Sequence, residues 1–395
     1  MDKYHSRRIH SALVYLVGCA YHGITPDVVY LKGIQKDQLF KCAVRHNVAS
    51  LLCSALEGLG LSTPEMQDKK NMAIRKVMLL DAERQAILSE LEGRGIIYMP
   101  LKGVYMKEYY PAIGMRQMTD NDILFDKAYR ADVRDLMTAR GYSVRVYGKS
   151  NHDVYMKDPV YNYEMHVSLF DGYKHSAAAE YFKGAFDRAL PIEGTSYGYR
   201  MNLEDFYLYM RAHEYKHFVN SGTGLRSLLD VYVFWHANEG AVDSELINKV
   251  SEKIGMGEYE RRTRALADRL FSPESIKKIL EDPNALTESE WSFFDEFCLH
   301  GTYGTLANSI NRGIVEAGEG RVTAKSKLKY VWKKLFPPME WYKIYHPTVY
   351  KYKILMPPFL LFRFFRIIFS HPKRLFIYIK NIIKAKGKDA NDGTR

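Results

Sequence analysis

Paired cysteines are missing from this 395-residue chain: Cys19, Cys42, Cys53 and Cys298 form no CxxC and no metal-ligand spacing. That excludes a zinc ribbon or a disulfide scaffold and leaves reduced, buried thiols of a cytoplasmic protein as the expectation. Long apolar runs are missing too. A bilayer span needs ~20 such residues, and the richest stretch, Leu355 to Phe369, contains Pro357, Pro358, Arg363 and Arg366, so no transmembrane helix is expected. Leu16-Val17-Gly18-Cys19 behind Arg7 and Arg8 would suit a lipoprotein cleavage site, but His10 and Ser11 interrupt the apolar core before it. An amphipathic first helix is the better reading. There is no internal repeat, which excludes a solenoid. Only Lys386–Arg395 has the composition of disorder, and a chain that is 47% hydrophobic and 26% charged is otherwise that of an ordered protein.

The net charge of +11 is local. Between Lys325 and Lys388 there are 16 Lys or Arg against one acid, Glu340, whereas the rest of the chain has 45 acids and 41 bases. A nearly neutral body therefore precedes a basic tail in which Tyr, Trp and Phe interleave with the lysines.

At about 100–200 residues per domain, this length predicts more than one lobe. Residues 1–95 read as a helical segment: Ile9 to Ala20, Asp37 to Leu59 and Pro64 to Glu92 carry apolar residues at helical spacing. Residues 96–200 change period. Ile96–Leu101 reads as a strand, Gly103 opens a small helix through Tyr110, and Gln117–Phe125 reads as a second strand. A helix over Lys127–Arg140 and strands Tyr142–Tyr147, Asp153–Lys157 and Tyr161–Leu169 complete an α+β core around a mixed sheet. Helical spacing returns in a lobe over 201–320, and 321–395 is the basic, aromatic-rich extension.

Asp120 and Asp122 lie two apart ahead of Ile123-Leu124-Phe125. On a strand that spacing puts both carboxylates on one face, where they repel unless a cation lies between them. Hard oxygens shared with a triphosphate suit Mg²⁺, or Mn²⁺ in its place. Gly103 at a helix start, Lys102 and Arg116 would face phosphate. A third carboxylate, Glu164, shares a strand face with His166.

These residues resemble a family of the DNA-polymerase-β-like nucleotidyltransferase superfamily, a bacterial group labelled "uncharacterised nucleotidyltransferase". The likeness is carried by Leu101-Lys102-Gly103, Arg116, Asp120-Asn121-Asp122 and Glu164-Met165-His166. It extends to Ala43-Val44-Arg45-His46, His213–His217, Gly224-Leu225-Arg226 through Asp230, and the tail segments at Leu335-Phe336-Pro337 and Tyr345-His346-Pro347. The resemblance implies a mixed-sheet nucleotidyltransferase core flanked by helical segments, and attack of an acceptor hydroxyl on the α-phosphate of an NTP, ATP first among them. Asp120, Asp122 and Glu164 would hold the metal and carry catalysis, with Glu164 as base or last ligand; Lys102, Gly103, Arg116 and His166 would bind the nucleotide. The acceptor, whether small molecule, RNA or protein, is left open. Two positions depart from the pattern: the usual Gly-Ser is Gly103-Val104, which removes a phosphate-binding hydroxyl, and Asn121 stands where an apolar residue belongs. Asn121 predicts either an open sheet face or a frayed strand.

Three other readings stand beside this one. The same fold without turnover would make a nucleotide-binding or scaffold protein. His213-Glu214-Tyr215-Lys216-His217 matches H-E-x-x-H, a zinc hydrolase signature, with Glu239 as nearest third ligand and Asn220 where the metzincin glycine should be. Finally, 325–388 would suit a polyanion or an anionic membrane surface, with Phe359–Phe369 and Leu375–Ile383 edged by Arg363, Arg366, Lys373, Arg374 and Lys380. The expected location is the cytoplasm, with peripheral contact at the membrane.

Overall fold

A computed structural model describes residues 3–172, 175–301, 306–370 and 372–385. The stretch read as disordered, 386–395, lies outside them. The chain forms two compact units, Met1–Tyr215 with Gly224–Thr302, and Lys216–Thr223 with Tyr303–Arg395.

The first unit opens with helices α1 (Lys3–His22), α2 (Lys36–Arg45), α3 (Ala49–Glu57) and α4 (Pro64–Gly93). α1 is not amphipathic. Residues 9 to 19 are buried all round, and His10 is tolerated inside because its Nδ1 donates to the Ser6 carbonyl at 2.7 Å while Nε2 accepts from Arg45 at 3.1 Å. With Leu16, Val17 and Cys19 at 2% exposure or less, the cleavage-site look-alike is core. The helix expected over 37–59 is two helices, because Asn47 takes φ 59°, a left-handed conformation that ends a helix. α4 starts where Thr63 accepts from the Met66 N–H and Pro64 fills the first turn, and it then runs under the sheet.

The sheet comprises β1 (Tyr98–Pro100), β2 (Asn121–Phe125), β3 (Ser143–Val146), β4 (His152–Lys157) and β5 (Tyr161–His166), in the order β1-β2-β5-β4-β3. Only β2 and β5 pair in parallel; the α+β class with a mixed sheet is the one the sequence led to. Between β1 and β2 lies a one-turn helix, α5 (Gly103–Met106), and α6 (Arg130–Ala139) precedes β3. Val77, Leu80 and Ile87 of α4 and Val133 and Leu136 of α6 pack on Ile123, Phe125, Tyr155, Tyr163 and Met165, burying the central part of one sheet face. After α7 (Ser176–Tyr181) and the small hairpin β6 (Leu190–Pro191) and β7 (Tyr199–Arg200) come α8 (Leu203–Asn220), α9 (Leu225–Ala237), α10 (Ser244–Lys253), α11 (Gly257–Phe271), α12 (Lys278–Glu281) and α13 (Glu288–His300).

The second unit is helical in its described residues: α14 (Leu306–Ala317), α15 (Ala324–Leu335), α16 (Met339–Tyr345), α17 (Pro347–Lys351), α18 (Met356–Ser370) and α19 (Pro372–Lys384). Its core is small. Ile310, Ile314, Ala317 and Tyr330 are buried, and Tyr378 and Ile382 of α19 pack against them.

Candidate active site

Alternation along β2 and β5 sorts side chains by face. Ile123, Tyr163 and Met165 enter the core under α4, so Asp122, Glu164 and His166 point the other way. Register then gathers them: Asp122 lies beside Glu164 on the parallel neighbour, and His152 lies opposite His166 on the antiparallel one. Asp120 is not on the strand. It immediately precedes β2, which begins at Asn121, and lies near enough to Asp122 and Glu164 to feel both charges.

The turn after β1 closes over this face. The Leu101 N–H donates to the Asp122 carbonyl at 2.9 Å, and Lys102 adopts φ 50°, ψ −115°, a conformation costly for any residue with a Cβ. It places the Lys102 ammonium 2.7 Å from Asp122 Oδ1, where His166 Nε2 also donates at 2.8 Å. Burial alone would raise the Asp122 pKa; Lys102 and His166 outweigh it and hold the group well below the usual carboxylate range. Lys102 is raised for the reciprocal reason, its burial overcome by Asp122. Asp120 moves oppositely. Burial and the Asp122 charge, with Glu164 adding to them, raise it to about 6 against the pull of Lys102 and Arg226.

Glu164 lies 3.6 Å from His166 Nε2 and 3.8 Å from His152 Nε2. Burial opposes its ionisation, but the His166 hydrogen bond and the Lys102 charge lower its pKa. His166 is raised: burial works against the charged ring, and its bonds to Asp122 and Glu164 prevail. The ligand atoms of His152, Glu164 and His166 lie within 4.8 Å of one another, close enough to share a cation.

The remaining sequence-derived residues have other duties. Arg116 does not touch the carboxylates; it makes a two-pronged pair with Asp230, 2.9 Å on each arm, and Tyr110 Oη joins at 2.7 Å. Gly103 is needed for packing, since a Cβ there would come within 2.7 Å of Arg116 Nη1 and Met118 Cε. The helix it opens is one turn, shorter than expected, and the N–H groups of Val104, Tyr105 and Met106 are bonded to the carbonyls of Leu101 and Lys102. Val104 is 4% exposed, an apolar core residue where the resemblance leads to the expectation of a hydroxyl. The expectation for Asn121 fails on both counts: the side chain is fully buried, accepts from Arg84 at 3.2 Å and donates to the Leu80 carbonyl at 3.1 Å.

Three residues here are not singled out for the site by the sequence, and a fourth, Arg226, reads there first as an intrahelical partner of Asp230 and only second as a residue facing the nucleotide. His152 joins through register. Tyr209 of α8 is fully buried with its hydroxyl unpartnered among the described residues, near enough to Lys102 and Asp122 to feel both charges. Lys76 of α4 donates to the Thr119 carbonyl at 3.0 Å, and burial lowers its pKa against the opposing pull of the Asp120 charge. Arg226 donates to the Gln117 carbonyl at 3.1 Å and helps to keep Asp120 charged.

The rival constellations fare differently. Glu214 accepts from Arg211 and, at 2.7 Å, from Tyr259 Oη, so its carboxylate is committed to a structural cluster. Among the described residues, the groups able to share a metal ion contain neither His213 nor His217. One group does contain Cys42, with His10 and His46. There the Arg45 guanidinium bonds His10 Nε2, and its charge, added to burial, keeps both imidazoles neutral, which is the environment of core histidines.

A family model described as "Uncharacterised nucleotidyltransferase" matches residues 32–272, more than half of the chain and every residue of this site. The chain belongs to that family. No curated protein and no solved structure matches it.

Proposed function

We infer, from membership of a nucleotidyltransferase family, that this site moves a nucleoside monophosphate from an NTP to an acceptor hydroxyl. The observation that carries the reading is the convergence of Asp120, Asp122 and Glu164 at one sheet face beside Lys102. The acceptor oxygen bonds the α-phosphorus, the bridge to the β-phosphate breaks, and pyrophosphate leaves.

The donor set fits a divalent cation. Three carboxylates stand against the charges of Lys102 and His166, and the mutual repulsion that raises Asp120 is what such an ion relieves. Asp120, Asp122 and Glu164 would hold Mg²⁺, while the imidazole of His152 beside Glu164, kept neutral by burial and the His166 charge, favours Mn²⁺ as the alternative. Bound there, the ion would neutralise triphosphate charge and lower the pKa of the acceptor hydroxyl.

The chain's own groups supply the rest. Lys102 leaves Asp122 to meet a phosphate oxygen, the strained turn at φ 50° holding its stem toward the site. Arg226 and Lys76 keep the surroundings of Asp120 cationic, which favours a polyanionic donor. Where it is not the last metal ligand, Glu164 would take the acceptor proton. Tyr209 offers a hydroxyl in a water-poor setting for a sugar or phosphate oxygen. ATP is the donor to try first, and small molecules, RNA ends and protein hydroxyls are the acceptor classes. No helix among the described residues is long and apolar enough to cross a membrane, and a cytoplasmic location is part of this proposal.

A second reading has one observation of its own. The Lys102 ammonium already neutralises Asp122, and Val104 offers no hydroxyl, as in a fold that binds nucleotide without turnover. Purified protein incubated with Mg²⁺ or Mn²⁺, α-labelled NTPs and a cell extract as acceptor source separates the two. Pyrophosphate release and label transfer that vanish in Asp120→Asn/Asp122→Asn establish transfer. Tight NTP binding with no release from wild type establishes the binding protein instead.

A further inference from the structure

The second unit exposes what a globular domain normally buries. On α18, Phe362, Phe365 and Phe369 are 60%, 52% and 75% exposed; on α19, Phe376, Ile379 and Ile383 are 69%, 47% and 71% exposed. Each trio has the spacing i, i+3, i+7, so each is a stripe along one side of its helix. α19 is apolar on two sides. Tyr378 and Ile382 sit on the small core of this unit while the exposed stripe faces away, so packing within the unit is already satisfied and does not account for the stripe. α18 is held by Arg363, which donates to the Lys334 carbonyl at 2.9 Å and lies over the Trp341 ring. Next to the stripes stand exposed cations: Arg366 on α18, and Lys380 and Lys384 one residue beyond Ile379 and Ile383.

We propose that this unit docks on the surface of an anionic bilayer, with α18 and α19 lying in the interface. Two apolar stripes beside cations are the pattern of interfacial helices, whose binding combines buried apolar area with attraction to anionic headgroups. The charge argues against a second copy of this chain, because 16 basic residues against one acid over 325–388 would face their own like. The α19 stripe weighs against nucleic acid, because Ile379 and Ile383, two of its three members, offer no ring for a base to stack on. Length limits the mode of contact, since α18 has 15 residues and α19 has 13, and a span needs ~20.

The test is co-sedimentation of the full chain with phosphatidylcholine vesicles, with and without phosphatidylglycerol, at low and high salt. Two variants accompany it, Phe362→Ser/Phe365→Ser/Phe369→Ser and Lys380→Glu/Lys384→Glu, each checked for an unchanged thermal melt. Binding is expected to anionic vesicles only, weakened but not abolished by salt. The serine variant should lose at least ~10-fold in partitioning and the glutamate variant a smaller factor. Absence of binding to anionic vesicles at low salt overturns the proposal. So does equal binding of wild type and the serine variant with complete reversal by salt, which marks a polyanion surface; RNA competing the protein off would then name the ligand class. Concentration-dependent dimers that vanish in the serine variant, without vesicle binding, overturn it in favour of self-association. Nucleotide binding measured on the same samples reports separately on the active site.

Discussion

The two units depart from the inside–outside rule in opposite directions. The first buries ionised groups, with Lys102, Asp122 and His166 in contact at 3–4% side-chain exposure or, for Lys102, 15%. The second exposes phenylalanines and isoleucines on two helices. Both departures are expensive, and each indicates a different kind of missing company: polar for the first, apolar for the second. A buried charge cluster persists only where each member has a partner, so it is pre-organised and tolerates little change. An exposed stripe rests on nothing and tolerates a great deal. Substitutions in the two places should therefore differ in kind.

The largest effect is expected at Asp122. Asp122→Ala should reduce transfer by on the order of 10³-fold or more, as loss of a fixed charge at the reaction centre does. It should also cost about 3–5 kcal/mol in urea denaturation, because Lys102 is left buried beside a second cation without its anion. Lys102→Met/Asp122→Leu should restore most of that stability and none of the activity. If the double variant is as unstable as the single one, the pair is not the structural unit the geometry indicates.

The opposite sheet face supplies the control. Tyr163→Ala removes a fully buried ring and should cost about 3–5 kcal/mol. Its transfer rate per folded molecule should stay close to wild type, since alternation keeps that residue off the site face. A rate that fell with stability unchanged would contradict the division of the sheet.

Much of this division is legible in the amino-acid sequence alone. Glu164 and His166 can be placed on one face because two-residue spacing on a strand is a local property, whereas Asp120, read as a strand partner of Asp122, falls just before β2. His152 cannot be placed with them, since only the β4–β5 register sets it opposite His166. Asn121 looks wrong for a buried strand because Arg84, its partner, lies 37 residues earlier on α4. Arg116 reads as a phosphate ligand, yet Asp230, 114 residues later on α9, claims it. Helix periodicity locates α4 nearly to the residue, whereas the break between α2 and α3 depends on one left-handed Asn47 that periodicity does not register. What the sequence withholds is tertiary pairing, and the site is built of it.

A smaller effect follows from Asp120. Its native pKa, raised to about 6 from 3.8, means that the folded protein holds this proton more tightly than the unfolded chain does. The contribution to stability is therefore present below pH 4 and is lost as pH rises through about 6, by about 1–3 kcal/mol. Wild type minus Asp120→Asn, followed by thermal melts from pH 4 to 8 without metal, should show that fall. Above pH 6, Mn²⁺ should restore wild type and leave the variant nearly unchanged. A difference that grows with rising pH would mean Asp120 is stabilised in its charged form, and the reading of an anionic pocket seeking a cation would go with it.

The smallest effect is expected at the other pole of the comparison. Phe362, Phe365 and Phe369 are more than half exposed, so serine at all three removes little native packing and should shift stability by about 0.5 kcal/mol or less per site. Solubility at high concentration should rise, because a patch that solvates poorly has been made polar. The same three changes within α4 would unfold the chain, since Val77, Leu80 and Ile87 there are at most 1% exposed. The prediction thus turns on position alone: identical chemistry is neutral where a helix face is bare and destructive where it is covered. A serine variant that melts well below wild type would show that α18 packs in solution on a surface of its own chain, and the stripe would have a partner without any membrane.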